Sequence, residues 1–423
     1  MRQVRYVDGG FSDEGTGHVV VVHRWQDQYA HYTTYLDHGA RPVTYVTTEV
    51  GAESVPAEAA EVVILAETSP EAIREAVASL ADKYGTPAAI VALKEGDLPV
   101  VAQLREDYDT AGRRPAELAR FLDKYVMAEA VAELGDLAMP AHRLASSVDD
   151  VLEFAGNVGW PVIAKPLRGS ASHGVRKLEN AAEATELDLT RPMIVQSFLP
   201  HPVIHVDGLC TGTGLGPWRA SGYVSTCLSF TTGTPLGSVE IDDPKALAAI
   251  EAFLTRLMPG LCDEPWVFHL ELFLHQDEDG NWNCAFLEVG SRVGGGDIPW
   301  IWREVHGIDL MWAEVALQLG NIPVLPELAD HQENGGVGGF LMMPLTVERP
   351  CRVVESSSMV GPEGPYAEKV VAPGGVIPAA DAYYEHVGGR FRFRGETSAE
   401  VEAAVHRTIE GFRLVCEPLV PVS

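Results

Sequence analysis

At 423 residues, with 46% hydrophobic and 22% charged side chains, the chain is long enough for roughly two to four globular domains around a large core. Its net charge of −29 argues against nucleic acid or an anionic membrane surface as the partner, so an anionic ligand needs a local basic site. The six cysteines are scattered with no C-x-x-C spacing, and neither a signal-peptide core nor a membrane-length apolar run occurs, so the expectation is a reduced, cytoplasmic protein.

Residues 1–17 are polar and Gly-rich and read as an irregular arm. His18-Val-Val-Val-Val-His23 then opens an alternation of apolar β runs (18–23, 42–47, 62–66, 88–93) with helical segments (29–38, 70–84). Such alternation predicts a parallel sheet with right-handed crossovers, a Rossmann-like first domain over 1–110. No G-x-G-x-x-G follows the first strand, which disfavours a bound dinucleotide and a dehydrogenase. A helical bridge follows, with one helix expected at 99–108 and a second over 115–134 carrying Lys124 near its middle. A further helix is expected at 148–158.

Pro161-Val-Ile-Ala-Lys165-Pro-Leu167 is an apolar strand with a lysine at its end, running into Arg168-Gly169-Ser170-Ala171-Ser172-His173-Gly174. Small residues with free amides and hydroxyls can wrap a phosphate, and the entering lysine adds a point charge. It is not the G-x-x-x-x-G-K-[ST] loop, because the lysine precedes the glycines and strands flank both sides. A flexible hairpin with a surface lysine is the alternative that these residues leave open. A strand at 192–199 ends in Gln196-Ser197-Phe198-Leu199, and His205 and Asp207 follow on the next β run. The glycine alternation at 211–216 reads as a turn, 221–230 as a strand and 243–257 as a helix.

Two β-rich runs, 266–274 and 283–289, flank Asp277-Glu-Asp-Gly-Asn281, which is a hairpin signal. Each run carries one acid among apolar residues, Glu271 and Glu288. An unpaired buried carboxylate is costly, so an acid in each of two paired strands suggests a shared cation. Hard oxygen ligands with no cysteine beside them suit Mg²⁺. Arg292 and Gly294-Gly295-Gly296 add a fixed cation and free amides for an anion. From these residues alone, a hairpin whose acids face solvent or pair with arginines is an equal reading. A helix is expected at 307–319. The chain then changes to short β runs, Pro/Gly turns and one helix at 398–412, read as a small α+β cap.

Taken together and in order, Lys124, Lys165 with its Gly/Ser loop, the strand ending at Leu199, Glu271 and Glu288-x-x-x-Arg292 resemble the ATP-grasp superfamily. The resemblance is strongest to its carboxylate–amine ligases, the L-amino-acid ligase and carnosine-synthase-like group, and covers nearly the whole chain. It implies an α/β and α+β fold with an ATP-grasp domain over 111–325, a lid at about 135–200 and a C-terminal α+β segment over 326–423. It also implies ATP with Mg²⁺ (Mn²⁺ as a substitute), amino acids as the carboxylate and amine substrates, and a homodimer as an assembly such enzymes adopt.

By the same resemblance, Lys124 and Lys165 contact ATP phosphates, and Gly169, Ser170, Ser172, His173 and Gly174 belong to the loop over the β- and γ-phosphates. Gln196 and the backbone of Phe198 and Leu199 read the adenine edge, with Phe273 and Leu287 packed on the purine. His205 and Asp207 neighbour ribose or phosphate. Glu271 and Glu288 hold Mg²⁺. Arg292, Lys165 and Ser172 act on the transferred phosphoryl group, and Arg292, Gly295, Gly296 and Trp300 line the substrate pocket.

Two positions depart from the family pattern. Where members read Glu-x-Asn-x-Arg, this chain has Glu288-Val-Gly290-Ser291-Arg292, so one metal oxygen must come from water, Ser291 or elsewhere. Gln196-Ser197 stands where an acid is common. The implied activity is ATP-dependent activation of a carboxylate and its coupling to an amine, giving a dipeptide or γ-glutamyl-type amide. A carboxylase-like or purine-pathway enzyme with the same ATP site is the alternative, as is a nucleotide binder weakened in turnover at Gly290.

Overall fold

The computed structural model describes residues 17–25, 29–169, 173–212, 214–225, 230, 233–323, 336–378 and 387–419. Strands β1 (His18–His23), β2 (Val43–Thr47), β3 (Glu61–Ile64) and β4 (Pro87–Ala92) form the expected parallel sheet, in the order β3-β2-β1-β4. Val19 and Val21 of β1 belong to one core cluster and Val20 and Val22 to another, so the strand is apolar throughout because both its faces are covered. The helix Pro70–Tyr84 starts where the Ser69 side chain accepts from the Ala72 amide and stops at Gly85, whose φ of 90° suits glycine.

Two helix expectations change. The one at 29–38 shrinks to a single turn, Tyr32–Tyr35. The one at 115–134 divides into Pro115–Leu122 and Lys124–Glu133, because Asp123 takes extended dihedrals (φ −100°, ψ 113°) and caps the amides of Tyr125 and Val126. Local capping overrides the continuing apolar period here. Lys124 is therefore the first residue of a helix, not its middle, and its own N–H donates to Leu167 O at 2.8 Å.

Strands β5 (His142–Ala145), β6 (Val162–Pro166), β7 (Arg176–Leu178) and β8 (Met193–Ser197) make a separate antiparallel sheet in the order β5-β8-β6-β7. Val162, Ala164, Met193 and Val195 share a core with Val151, Phe154 and Ala155 of the helix Val148–Val158. The alternate residues lie on the opposite face, where the register sets Ile163 against Gln196 and Lys165 against Ile194. One face of this small sheet thus carries both Lys165 and Gln196.

The largest sheet contains β9 (Val203–Thr211), β10 (Leu215–Tyr223), β11 (Leu236–Glu240), β12 (Pro265–Gln276), β13 (Trp282–Gly290) and β14 (Val337–Pro344). Of the strand expected at 221–230, residues 221–223 fall in β10, and 226–229 lie outside the described residues. The order is β13-β12-β9-β10-β11-β14-β18-β16, where β15 is Cys351–Ser356, β16 is Ala367–Lys369, β17 is Val376–Ile377 and β18 is Val387–Gly395. On one face, Trp266, Phe268, Leu270 and Leu272 of β12 pack against Ile250, Leu254, Leu257 and Met258 of the helix Pro244–Leu261. Each such buried side chain contributes about 1.5–3 kcal/mol. The opposite face is left for His269, Glu271 and Phe273.

The C-terminal segment packs on the central sheet in part by joining it. Strand β14 pairs with β11 and β18 with β14, so these strands extend the central sheet. Only β15, β17 and β19 (Leu414–Pro418) form a sheet of their own, and the helix Ser398–Gly411 packs across β14 and β18. A further helix, Ile298–Glu304, carries Trp300. No helix among the described residues is long and apolar enough to cross a membrane.

Candidate active site

The floor of the site is built by β9, β12 and β13. Glu271 on β12 stands opposite Glu288 on β13 and His205 on β9, while His269 stands opposite Gly290 and Asp207. A bulge produces the first of these pairs. Leu272 pairs with Phe286 and Glu271 with Glu288, so Leu287 is the extra residue. In an unbroken ladder, Glu288 would face Leu270 and point into the apolar core. The inserted residue turns it onto the face of Glu271.

The two carboxylates have different environments. Glu271 Oε1 accepts from Tyr223 Oη at 2.9 Å, and burial together with the neighbouring Glu288 pushes its carboxyl above the usual range. Glu288 Oε2 lies 3.1 Å from Lys124 Nζ. Burial opposes its ionisation, but Lys124 and Lys165 hold it below the usual range. Lys124 Nζ also donates to Gly169 O at 2.9 Å. Lys165 is 9% exposed, and burial and the nearby Lys124 ammonium lower its pKa despite Glu288. Two facing carboxyls, one raised by the other, fit a hard divalent cation with open coordination positions.

Arg292 is held from outside its own sheet. Its Nε donates to Glu95 Oε2 at 2.6 Å and its Nη1 to Val293 O at 3.0 Å. The Ser291 hydroxyl is buried and accepts from Arg113 Nε at 2.8 Å, which turns it away from service as the missing metal oxygen. A Cβ on Gly290 would meet the Arg292 side chain at 3.4 Å, so that side chain lies against the position where the family pattern has Asn. Beyond Arg292, a Cβ on Gly294 would come within 2.3 Å of Asp207 Oδ1, and Gly296 has φ 62° with Phe340 at 3.2 Å. Gly295 opens onto free space. Trp300 is half-buried between the guanidinium groups of Arg303 and Arg392, with centroid distances of 5.2 and 4.7 Å.

His205 and Asp207 are almost fully buried. Asp207 Oδ2 is 2.6 Å from His205 Nδ1, its Oδ1 is 2.8 Å from His269 Nδ1, and His205 Nε2 is 2.6 Å from Ser238 Oγ. Their three ligating atoms lie within 4.8 Å of one another, the spacing of a metal triad. As placed, they serve hydrogen bonds to one another and to Ser238, and the imidazoles draw the Asp207 pKa far down against the effect of burial.

On the small β5–β8 sheet and just beyond it, Gln196 is buried and the Phe198 ring lies beneath Lys177 Nζ at 4.3 Å. Gly169 has φ 131° and Gly174 φ 72°, and a Cβ on Gly174 would meet Pro166 Cγ at 2.8 Å. His173 is exposed, while Ser170 and Ser172 lie outside the described residues. Thus Lys124, Lys165, Glu271 and Glu288 act on one another electrostatically. Sequence reasoning missed Glu95, Tyr223 and Arg113. Glu95 had a legible signal: it follows the carboxyl end of β4, the edge at which open α/β sheets bind ligands.

No family model matches the chain. Carnosine synthase 1 of Gallus gallus is 32% identical over a 205-residue alignment that covers 43% of this chain and 21% of that protein. The chain thus spans about a fifth of that relative's length. Among solved structures, the L-amino acid ligase of Bacillus licheniformis superposes with a TM-score of 0.70 at 16% identity, covering 94% of this chain and 98% of that one. Phosphoribosylglycinamide synthetase of Anaerococcus prevotii gives 0.66 at 12% identity over 94% and 99%. The biotin carboxylase domain of the Hydrogenobacter thermophilus 2-oxoglutarate carboxylase, solved with MgADP and bicarbonate, gives 0.66 at 13% identity over 95% and 91%. At these identities the likeness is one of fold.

Proposed function

This chain has the ATP-grasp fold, and from that premise we propose that it is an ATP- and Mg²⁺-dependent carboxylate–amine ligase. Its substrates are two amino acids, joined as a dipeptide or a γ-glutamyl-type amide. The observation that carries this reading is the Glu271–Glu288 pair brought onto one face by the bulge, with Lys124 and Lys165 acting on it. A binding protein has no need of two facing acids and two lysines at one point.

A carboxylate is inert toward an amine because oxide is a poor leaving group. In the proposed reaction a carboxylate oxygen attacks the γ-phosphorus of ATP and ADP leaves. The amine nitrogen then attacks the acyl carbon, phosphate leaves, and the nitrogen gives up its proton. A Mg²⁺ held by Glu271 and Glu288 supplies charge neutralisation at phosphate oxygens. Lys165, whose ammonium shows no hydrogen bond to a described residue, offers it to the same oxygens. Arg292, fixed by Glu95, stabilises negative charge developing on the transferred group. Gln196 and the 198–199 backbone hold the base, and the loop from Gly169 to Gly174 excludes water from the acyl phosphate. Gly295 leaves room for the substrate beside Arg292.

The test is phosphate release from ATP with amino acids added singly and in pairs, products being weighed by mass spectrometry. Release that requires a pair, with a product lighter than the sum by one water, supports the ligase. Release driven by bicarbonate supports the carboxylase-like alternative, and ATP binding without release under any mixture supports a binding protein.

A further inference from the structure

We infer that Lys124 makes metal binding depend on nucleotide binding, an inference that rests on the ligase reading of the same site. Lys124 is tied at three points. Its backbone N–H donates to Leu167 O at 2.8 Å, and its Nζ donates to Gly169 O at 2.9 Å and pairs with Glu288 Oε2 at 3.1 Å. The side chain is only 16% exposed. Because Asp123 breaks the helix just before it, Lys124 sits at a helix start against the 167–169 segment, bridging the lid loop to β13.

This bridge uses the same carboxylate that the metal needs. A divalent ion on Glu288 must share that carboxylate with an ammonium group or displace it, and like charges at such a distance repel strongly in a half-buried site. A bare ion offers the displaced ammonium no new acceptor. An ion arriving with a triphosphate brings several, so Lys124 can pass from Glu288 and Gly169 O to phosphate oxygens as the ion takes Glu288. Metal entry and lysine transfer are then one linked event, and by linkage the nucleotide and the metal strengthen each other's binding equally.

Lys165 supplies the control. It also acts on Glu288 through its charge, but its ammonium makes no hydrogen bond to a described residue. The experiment is Mn²⁺ binding to the full chain, followed by electron paramagnetic resonance, with and without the non-hydrolysable analogue β,γ-methylene ATP. Wild type is compared with Lys124→Met, Lys165→Met and Lys124→Arg, each checked for an unchanged melting profile. Wild type and Lys124→Arg are expected to bind Mn²⁺ at least about tenfold more tightly with the analogue than without it, within the usual range of coupling between sites. Lys124→Met is expected to gain about tenfold in analogue-free Mn²⁺ affinity and to lose most of the coupling. Lys165→Met should gain much less. Equal gains in the two methionine variants would reduce the effect to net charge and overturn the inference alone. So would analogue-free binding by wild type as tight as binding with the analogue. Absence of Mn²⁺ binding with the analogue in every protein would overturn the ATP-site reading and the inference with it.

Discussion

The floor of the site and the small β5–β8 sheet, expected to act as a lid, treat charge in opposite ways. On β9, β12 and β13 the ionisable groups are spent on protein partners: Glu271 on Tyr223, Asp207 on two histidines, Glu288 on Lys124. Arg292, just beyond β13, is likewise fixed by Glu95. On the small β5–β8 sheet, the Lys165 ammonium is buried without a hydrogen bond to any described residue and is disfavoured by burial. Arg292, held by Glu95, needs no reorganisation when charge develops. The Lys165 ammonium meets Glu288 and Glu271 through its charge alone, so an arriving anion offers it hydrogen-bond acceptors that the described residues do not.

The widest separation is expected at Arg292. Arg292→Ala should lower ligation by about a thousandfold or more while ATP affinity stays within a few-fold, since its role falls on the transferred group. Product formation beside an ATP titration measures both, and near-normal turnover would remove Arg292 from the mechanism. Lys165→Ala should do the reverse, weakening ATP binding about 10–100-fold through loss of a charge-assisted contact. An unchanged ATP affinity would break the contrast between floor and lid. Tyr223→Phe leaves Glu271 without its oriented donor and should weaken Mn²⁺ binding in the presence of nucleotide about tenfold. Adenine contacts should be untouched, so loss of nucleotide affinity in the absence of metal would count against that role. The smallest effect is expected from Gly174→Ala, which sets a Cβ at φ 72° against Pro166 and should cost about 1–2 kcal/mol of stability, read by denaturant unfolding.

The parts legible in the sequence were those in which one residue breaks a local rule. An acid within an apolar strand marked Glu271 and Glu288, and a lysine before a Gly/Ser turn marked Lys165. The turn at 277–281 marked the hairpin, and β1 was plain from its unbroken valines. Other features depend on non-local pairing, which no local pattern reports. The bulge at Leu287 exists only relative to β12, and the entry of β14 and β18 into the central sheet requires contacts far apart in the chain. The break at Asp123 was readable as a capping residue, but the apolar period on both sides hid it. Glu95 was legible as a position at the ligand edge of the first sheet, but its pairing with Arg292 was not, nor was that of Arg113 with Ser291, because the partners lie 197 and 178 positions apart.

The most direct test of acyl-phosphate ligation uses the substrate pair found by the phosphate-release screen, with the carboxylate carried in ¹⁸O. Attack by a carboxylate oxygen on the γ-phosphorus, followed by displacement by the amine, leaves one labelled oxygen in the released phosphate and one in the amide. Mass spectrometry of that phosphate is expected to show a shift of one ¹⁸O per turnover. Amide formed with unlabelled phosphate, or with the label in AMP, would contradict the account.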